Sequence, residues 1–506
     1  MLDSKNIGSI FENKKNFIGV ILFLVSIAML SLMVFNRLNY SFIHIDEWYT
    51  LSLLQMSFVD ALKLTAADMH PPLYYLISKA VIKMLTLAHI PFNEILVSKL
   101  VSIMPYFLLL IFSATKIRKE YGWLTAGILV FAFGTMSEFF FKFITLRMYG
   151  WGMLFLLLSF LYLKDVLRNS DKKSWALLTI FSVLGAYTHY FIAISAVLIY
   201  LCLLVHILFI RDYEDDSKSQ KINELKKWIF SSIAGILLYS PWIPVVFNQV
   251  NTPTNYWIPE LDLGNVINFV SYFATNSKNE FLIALAILFL IVLFATTALK
   301  LKNLIKIEKT YLIIGLITSV FTFLFLLGFS IFAHPILLPR YLIPLIGILW
   351  FVFAIVIGKL ENKYLLTGIL CLILLFGASG ILETHDISNH LYDLQIHDQK
   401  LLNEMNTNDT VIIHTNGINV IMFNKYLNNT KQYSLSNIYG SQLHHSLNFK
   451  EKTFNDVEDI IDKNEAKRIF IIKNKGGEMP NLGENRSAEK IDEICDSREV
   501  FIIHKN

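Results

Sequence analysis

The chain has 506 residues, of which 55% are hydrophobic and only 17% are charged. Soluble domains carry about 25% charged residues, and a single soluble core stops growing near roughly 250–300 residues. The net charge of +4 and mean hydropathy of +0.52 therefore exclude a soluble multidomain protein, a disordered chain and a nucleic-acid-binding protein as the main interpretation. The cysteines form no C-x-x-C pair, so a disulfide framework or zinc ribbon is not expected.

Apolar segments recur along the first three quarters of the chain. A membrane-spanning helix needs about 20 mostly apolar residues. Eleven segments are candidates: 17–36, 95–115, 122–140, 147–164, 175–189, 191–211, 229–248, 281–300, 310–333, 341–358 and 364–382. The predicted fold class is therefore an all-α polytopic membrane protein with about eleven transmembrane helices in residues 1–382.

Residues 72–89 decide the orientation of the chain. Lys79 and Lys83 lie on a polar stripe there, and a lysine at mid-bilayer costs roughly 2.5–3.5 kcal/mol. We therefore expect 72–88 to be an amphipathic helix at the outer membrane surface, inside one external loop, 37–94. The basic groups near residues 5–15, 116–119, 164–173, 211–227, 300–309 and 359–363 then share one side. This pattern predicts a multi-pass cell-membrane protein with a cytoplasmic N-terminus.

The C-terminal residues 383–506 are polar and rich in Asn, Asp, Lys and His. Strand-like and helical patterns alternate there, which predicts a small extracytoplasmic α/β domain. The expected strands are Val411–His414, Gln432–Leu435, Arg468–Lys473 and Val500–His504, and the expected helices are Ile418–Leu427 and Val457–Asn464.

Chemistry-bearing residues gather in the first external loop. It carries Asp46 and Glu47 after the first span, and Asp68 and His70 before the Pro71-Pro72 pair. A carboxylate at a membrane boundary can have its pKa raised by desolvation and act as a general base. The alternative is structural: Asp46 and Glu47 end the first span in water, and Asp68 and His70 begin the next helix.

Later external turns add positive charge and aromatic groups. Arg147 and Tyr149 open one span, His189 joins two, and Arg340 and Tyr341 open another. Together with the acidic loop, they suggest a site that binds an anion and activates a nucleophile, and a lipid phosphate is the natural anion at this boundary. The alternative is that each arginine only extends from its helix end to water.

A metal site is a further alternative. His44, His70 and His189 could ligate a metal with Asp46 or Glu47, but the spacing matches no zinc pattern. A weaker divalent metal ion at Asp46 or Glu47 stays open.

Taken in order, these motifs resemble the C-type polytopic membrane glycosyltransferases, specifically the type of the protein O-mannosyltransferases and the aminoarabinose transferase of lipid A (glycosyltransferase family 39-like). The resemblance covers about residues 17–345 and rests on Asp46-Glu47, Asp68-x-His70-Pro71-Pro72-Leu73-Tyr74-Tyr75, Arg147-Met148-Tyr149, Tyr187–Phe191, Tyr239–Pro244 and Arg340-Tyr341-Leu342. Family members often carry an Arg where this chain has Lys99.

The resemblance implies an inverting transfer of a sugar from a polyprenyl-phosphate donor to an acceptor hydroxyl of a protein, lipid or glycan. It implies that Asp46 is the general base, and that Glu47 positions the acceptor or Asp46. Asp68 and His70 would line the cavity. The phosphate would be held by Arg147, Tyr149, His189 and Arg340, with Tyr341 in the same site.

Two rival functions remain at this stage. A transporter or flippase for a lipid-linked sugar should carry ionisable or helix-breaking residues at mid-membrane. The centres of the predicted spans are nearly free of charge, which favours chemistry at the outer surface. A binding or sensing protein would not need eleven spans as an anchor, although binding could describe the C-terminal domain alone.

Overall fold

The computed structural model describes residues 4–38, 45–211, 218–251, 258, 260–424, 426–435, 450–453, 456–464, 467–495 and 497–505. The chain divides into two compact units. The first contains residues 1–36 and 65–385, and the second contains 37–64 and 386–506. The segment 37–64 of the predicted first loop therefore groups with the C-terminal residues.

The first unit is helical. Its helices are α1 (Ser4–Leu38), α4 (Leu73–Leu87), α5 (Glu94–Phe112), α6 (Arg118–Thr135), α7 (Phe139–Ile144), α8 (Tyr149–Asn169), α9 (Lys172–Ala186), α10 (Tyr190–Val205), α11 (Lys218–Tyr239), α12 (Ile243–Asn251), α13 (Leu263–Ser271), α14 (Glu280–Leu301), α15 (Lys306–Phe332), α16 (Ile343–Gly358) and the first part of α17 (Lys363–Met405). Among the long apolar helices of this unit, α8 and α16 are the most buried, because other helices surround them.

Nine helices in the described part of the chain are long and apolar enough to cross a membrane. One of the nine is the continuous helical segment Glu94–Thr135, which is interrupted at Gly122, where φ is 85°. The Tyr106 hydroxyl donates a 2.9 Å hydrogen bond to the Val130 carbonyl, so the two halves lie side by side as two predicted spans. The predicted span 175–189 corresponds to α9, which has only 15 residues and is too short to be counted among the nine. These two differences account for the eleven predicted spans.

Helix α4 confirms the helix predicted over 72–88. Tyr75 is 2% exposed and Lys79 is 7% exposed, so this part of the polar stripe packs against the protein, whereas Lys83 and Thr86 further along the helix are exposed. The opposite side leaves Met84 and Leu87 exposed. An exposed surface that combines apolar and charged side chains suits an amphipathic helix at a membrane boundary.

The second unit contains α2 (Ile45–Gln55), most of α3 (Phe58–Ala67), the end of α17, α18 (Gly417–Phe423) and α19 (Val457–Lys463). Its strands are β1 (Thr410–His414), β2 (Lys431–Ser434), β3 (Lys450–Glu451), β4 (Arg468–Asn474), β5 (Arg486–Ile494) and β6 (Arg498–Lys505). They form one sheet in the order β3-β2-β1-β4-β6-β5. The first four strands are parallel, and β6 is antiparallel to both β4 and β5.

The core of this α/β domain follows from strand periodicity. Val411 and Ile413 on β1 and Ile469 and Ile471 on β4 point to one face, where they pack on α19. The predicted strands near 411–414, 432–435, 468–473 and 500–504 are confirmed, and β3 and β5 are additional.

Candidate functional site

The loop that precedes α4 is held by side chains from distant helices. The Gln249 amide of α12 donates hydrogen bonds to the backbone carbonyls of Thr65, Ala66 and Asp68, at 3.3 and 3.1 Å for the first two. The Tyr190 hydroxyl donates in turn to the Gln249 carbonyl oxygen. These bonds fix the backbone of the loop that carries Asp68 and His70.

Asp68 and His70 interact directly. His70 Nδ1 lies 3.2 Å from Asp68 Oδ2. Burial opposes ionisation of the Asp68 carboxyl, but the hydrogen bond from His70 and the charges of His70 and Arg147 outweigh it and hold its pKa below the ordinary value. Asp68 is therefore an anion near neutral pH, and Arg147 is close enough to act on it.

Arg147 is buried beside α4. It is 6% exposed, and its guanidinium donates a 2.9 Å hydrogen bond to the Tyr75 hydroxyl. Burial raises the pKa of the Tyr75 phenol, so this hydroxyl stays protonated. The short turn Thr145–Met148 places Arg147 here, immediately before α8 begins at Tyr149.

Five aromatic rings meet next to these charges, and we call them the aromatic cluster: His70, Tyr149, His189, Phe191 and Tyr341. The Tyr341 ring is central, with centroids of His189 at 5.3 Å, Phe191 at 5.8 Å and both His70 and Tyr149 at 6.1 Å. The His189 ring caps α10, because its Nδ1 accepts a 3.2 Å hydrogen bond from the Phe191 amide. Burial, with the charges of His70 and Arg147, lowers the His189 pKa to about 3, so the imidazole is neutral.

The second arginine reaches the same cluster from another helix. The Arg340 guanidinium carbon lies 5.5 Å from the centre of the Tyr341 ring, in the turn that opens α16. The structure therefore brings together all seven residues predicted to bind substrate: Asp68, His70, Arg147, Tyr149, His189, Arg340 and Tyr341.

The sequence indicates neither Gln249 nor Tyr272 as a member of this region, and it places Tyr75 in a motif without assigning it a role. Tyr272 is 1% exposed, and no described group hydrogen-bonds its hydroxyl. The charges of Glu138 and Arg340 and the Tyr149 phenol all act on it, so it lies beside the aromatic cluster. Gln249 and Tyr272 belong to no motif, and only tertiary structure brings them to the site.

The two residues predicted to be catalytic lie on the second unit. Asp46 and Glu47 form the first turn of α2, where the helix dipole favours negative charge. Asp46 is half-buried, and Glu47 is 8% exposed. Their catalytic role stays a prediction.

The metal alternative gains no support from the described residues. Among them, no three His, Cys, Asp or Glu side chains lie together as a metal ion would require. His44 lies outside the described residues.

The fold is that of the polytopic C-type glycosyltransferases: a many-helix membrane protein with helices in its first loop and a small C-terminal α/β sheet. The chain is similar to two crystal structures of ArnT from Cupriavidus metallidurans, one in the apo state and one bound to undecaprenyl phosphate. Each has a TM-score of 0.55 at 11% sequence identity, over 96% of this chain and 97% of the other. No protein-family profile and no curated protein sequence matches the chain.

Proposed function

We propose that this protein is an inverting glycosyltransferase that moves a sugar from a polyprenyl-phosphate donor to an acceptor hydroxyl at the outer face of the membrane. The observation that carries the proposal is the convergence of Arg147 and Arg340 beside one buried aromatic cluster, inside a fold shared with ArnT. Guanidinium groups bind phosphate oxygens through paired N–H donors. One of the ArnT structures contains undecaprenyl phosphate, which supports this class of donor.

The chemistry assigns a role to each predicted residue. Asp46 takes the proton of the acceptor hydroxyl while that oxygen attacks the anomeric carbon, and the bond from this carbon to the phosphate oxygen breaks. Polyprenyl phosphate leaves from the opposite face, so the configuration inverts. Glu47 positions the acceptor or Asp46. Asp68 and His70 line the donor site, where Arg147, Tyr149, His189 and Arg340 hold the phosphate and Tyr341 contacts the substrate.

The distribution of charged residues within the first unit supports a donor site at the outer face of the membrane. Helix α8 begins at Tyr149 in the site, and near its other end Lys164 and Arg168 pair with Glu120 at 2.8 and 2.7 Å. These ends are about 28 Å apart at 1.5 Å per helical residue, which is close to the thickness of a bilayer core. Because basic residues favour the cytoplasmic side, the site lies at the outer face of the cell membrane, and the C-terminal domain is extracytoplasmic.

The test uses the purified protein and lipids from a strain that lacks it. Those lipids should contain the accumulated polyprenyl-phosphate sugar, and the surface glycans or glycolipids should lack one sugar by mass spectrometry. We expect the protein to release polyprenyl phosphate from this lipid and to restore the missing mass to its acceptor. Movement of the intact lipid across a vesicle membrane without release of polyprenyl phosphate would overturn the proposal in favour of a flippase.

A further inference from the structure

We propose that the C-terminal domain positions the α2 carboxylates through helix α18, and that Asn419 and Arg498 are positioning residues for sugar transfer. The role of Asp46 in this inference rests on the proposed function. The packing of α2 on the domain does not, because it is a property of the second unit alone.

Helix α2 depends on its neighbours for its shape. It has 11 residues, and isolated helices shorter than about 12–15 residues are marginal in water. Its second half is buried on all sides: Thr50 and Leu53 are 0% exposed, Leu51 is 3% and Leu54 is 5%. Helix α2 packs on α18, within the unit that contains the C-terminal sheet.

Helix α18 is in turn fixed to the sheet by one buried amide. Asn419 is 0% exposed, and its Nδ2 donates a 3.2 Å hydrogen bond to the Ile472 carbonyl of β4. Its Oδ1 accepts a 2.6 Å hydrogen bond from Arg498 Nε of β6. Arg498 also lies 3.8 Å from the Met422 sulfur, one turn along α18. Two strands therefore hold the helix that supports α2.

This connection has a catalytic consequence. Productive catalysis requires reacting groups to be held close to their ideal geometry, and a misplacement of about 1 Å can cost roughly 100-fold in rate. Asp46 and Glu47 stand in the first turn of α2, so a tilt of α18 moves them. The cluster of Arg147 and Tyr341 belongs to the first unit and α18 to the second, so affinity for phosphate is measured as a separate quantity.

The test compares Arg498→Met and Asn419→Ala with a matched control, Arg486→Met, in the full-length protein. Arg486 holds a different helix to the sheet: it donates to Asp462 of α19 and, at 2.6 Å, to the Leu482 carbonyl. Three quantities are measured: hydrogen exchange of residues 45–55, affinity for undecaprenyl phosphate, and release of polyprenyl phosphate from the lipids of the deletion strain.

We expect both α18 variants to exchange faster over residues 45–55 and to turn over about 10-fold or more slowly, with undecaprenyl phosphate affinity changed less than about twofold. Arg486→Met should lower the stability of the domain but leave turnover and the hydrogen exchange of α2 unchanged.

Unchanged exchange of α2 in the Arg498 and Asn419 variants, or equal loss of turnover in the Arg486 control, would overturn the inference. Inactivity of the wild-type protein with every polyprenyl donor would instead refute the proposed function, while the exchange result still decides the packing. If Arg498→Met does not fold, Arg498→Lys and Asn419→Ala provide the same comparison.

Discussion

The Arg147 guanidinium donates a 2.9 Å hydrogen bond to the Tyr75 hydroxyl, which joins the turn before α8 to the amphipathic helix α4. Both side chains are buried, and the Asp68 carboxylate is close enough to feel the charge of Arg147. A buried cation therefore has a neutral partner and a nearby anion. Such an arrangement holds the guanidinium in a fixed position within the candidate site.

Arg147→Lys tests this role because lysine keeps the charge but loses the planar pair of donors. A hydrogen bond to a charged group contributes about 1.5–3 kcal/mol, so the Kd for undecaprenyl phosphate should rise by roughly 10- to 100-fold. Titration of the purified protein in nanodiscs measures it. The matched control is Arg168→Lys, whose guanidinium pairs with Glu120 near the other end of α8 and should leave the Kd unchanged. Equal effects of the two substitutions would contradict the assignment.

Asp46→Asn tests the general base. The amide cannot accept the proton of the acceptor hydroxyl, and general base catalysis contributes about 100- to 10,000-fold, so transfer should fall below detection in most assays. Binding of undecaprenyl phosphate and thermal stability should stay at wild-type values. Asp60→Asn is the control, since Asp60 is half-buried at the start of α3, where its described hydrogen bonds are with Ser57. Full transfer activity in Asp46→Asn would exclude the role.

Much of this architecture is predictable from the sequence because membrane insertion leaves a strong signal. The positions of Lys79 and Lys83 predict an amphipathic helix over residues 72–88, and a helix is present over Leu73–Leu87. The buried strands β1 and β4 are short apolar runs, which are also easy to recognise. Strand β5 is different: it is an edge strand with Glu489, Lys490 and Asp492, and its charges conceal its strand pattern.

The site is predictable only in part, because some of its residues belong to sequence motifs and others are brought to it only by tertiary contacts. Arg147, His189 and Arg340 begin or precede helices, so their positions in the sequence already place them at helix ends. Gln249 and Tyr272 come from a stretch without a motif, and their roles depend on hydrogen bonds and burial that form between distant segments. The packing of α2 on α18 joins residues more than 350 positions apart, which no local pattern indicates.

The Asp68 and His70 pair predicts how acid affects stability. The pKa of Asp68 is lower in the folded protein, so its stabilising contribution is fully present above the unfolded value of about 3.9 and is lost as the pH falls through the folded value. The difference in Tm between wild type and Asp68→Asn should therefore be smaller below about pH 4 than at pH 5. Thermal unfolding in detergent across this range measures it.

His70→Gln is the companion variant for the acid profile. Burial opposes ionisation of Asp68, and without the His70 hydrogen bond and charge this effect should raise the Asp68 pKa. The stabilising contribution of the ionised Asp68 carboxyl should then be smaller than in the wild type, and it should change sign once the folded pKa exceeds the unfolded value of about 3.9, so that acid no longer removes it. A Tm difference between wild type and Asp68→Asn that is the same at every pH from 3 to 7 would show that Asp68 is not ionised in the folded protein.

Tyr272→Phe tests a residue that the sequence did not indicate. The Tyr272 hydroxyl is buried beside Arg340 and Tyr149 without a hydrogen-bond partner among the described groups, and burial raises its pKa, so it is a neutral donor. If the donor phosphate supplies the missing acceptor, Tyr272→Phe should raise the Kd for undecaprenyl phosphate about 3- to 10-fold, as expected for one hydrogen bond of about 0.5–1.5 kcal/mol. Thermal stability without lipid should stay equal or rise, because an unsatisfied polar group is removed.

The control is Tyr311→Phe. The Tyr311 ring stacks on Phe160 at a centroid distance of 4.3 Å, close to Lys164 and Glu120. An unchanged Kd in Tyr272→Phe, or an equal rise in the Tyr311 control, would show that the hydroxyl does not contact the phosphate.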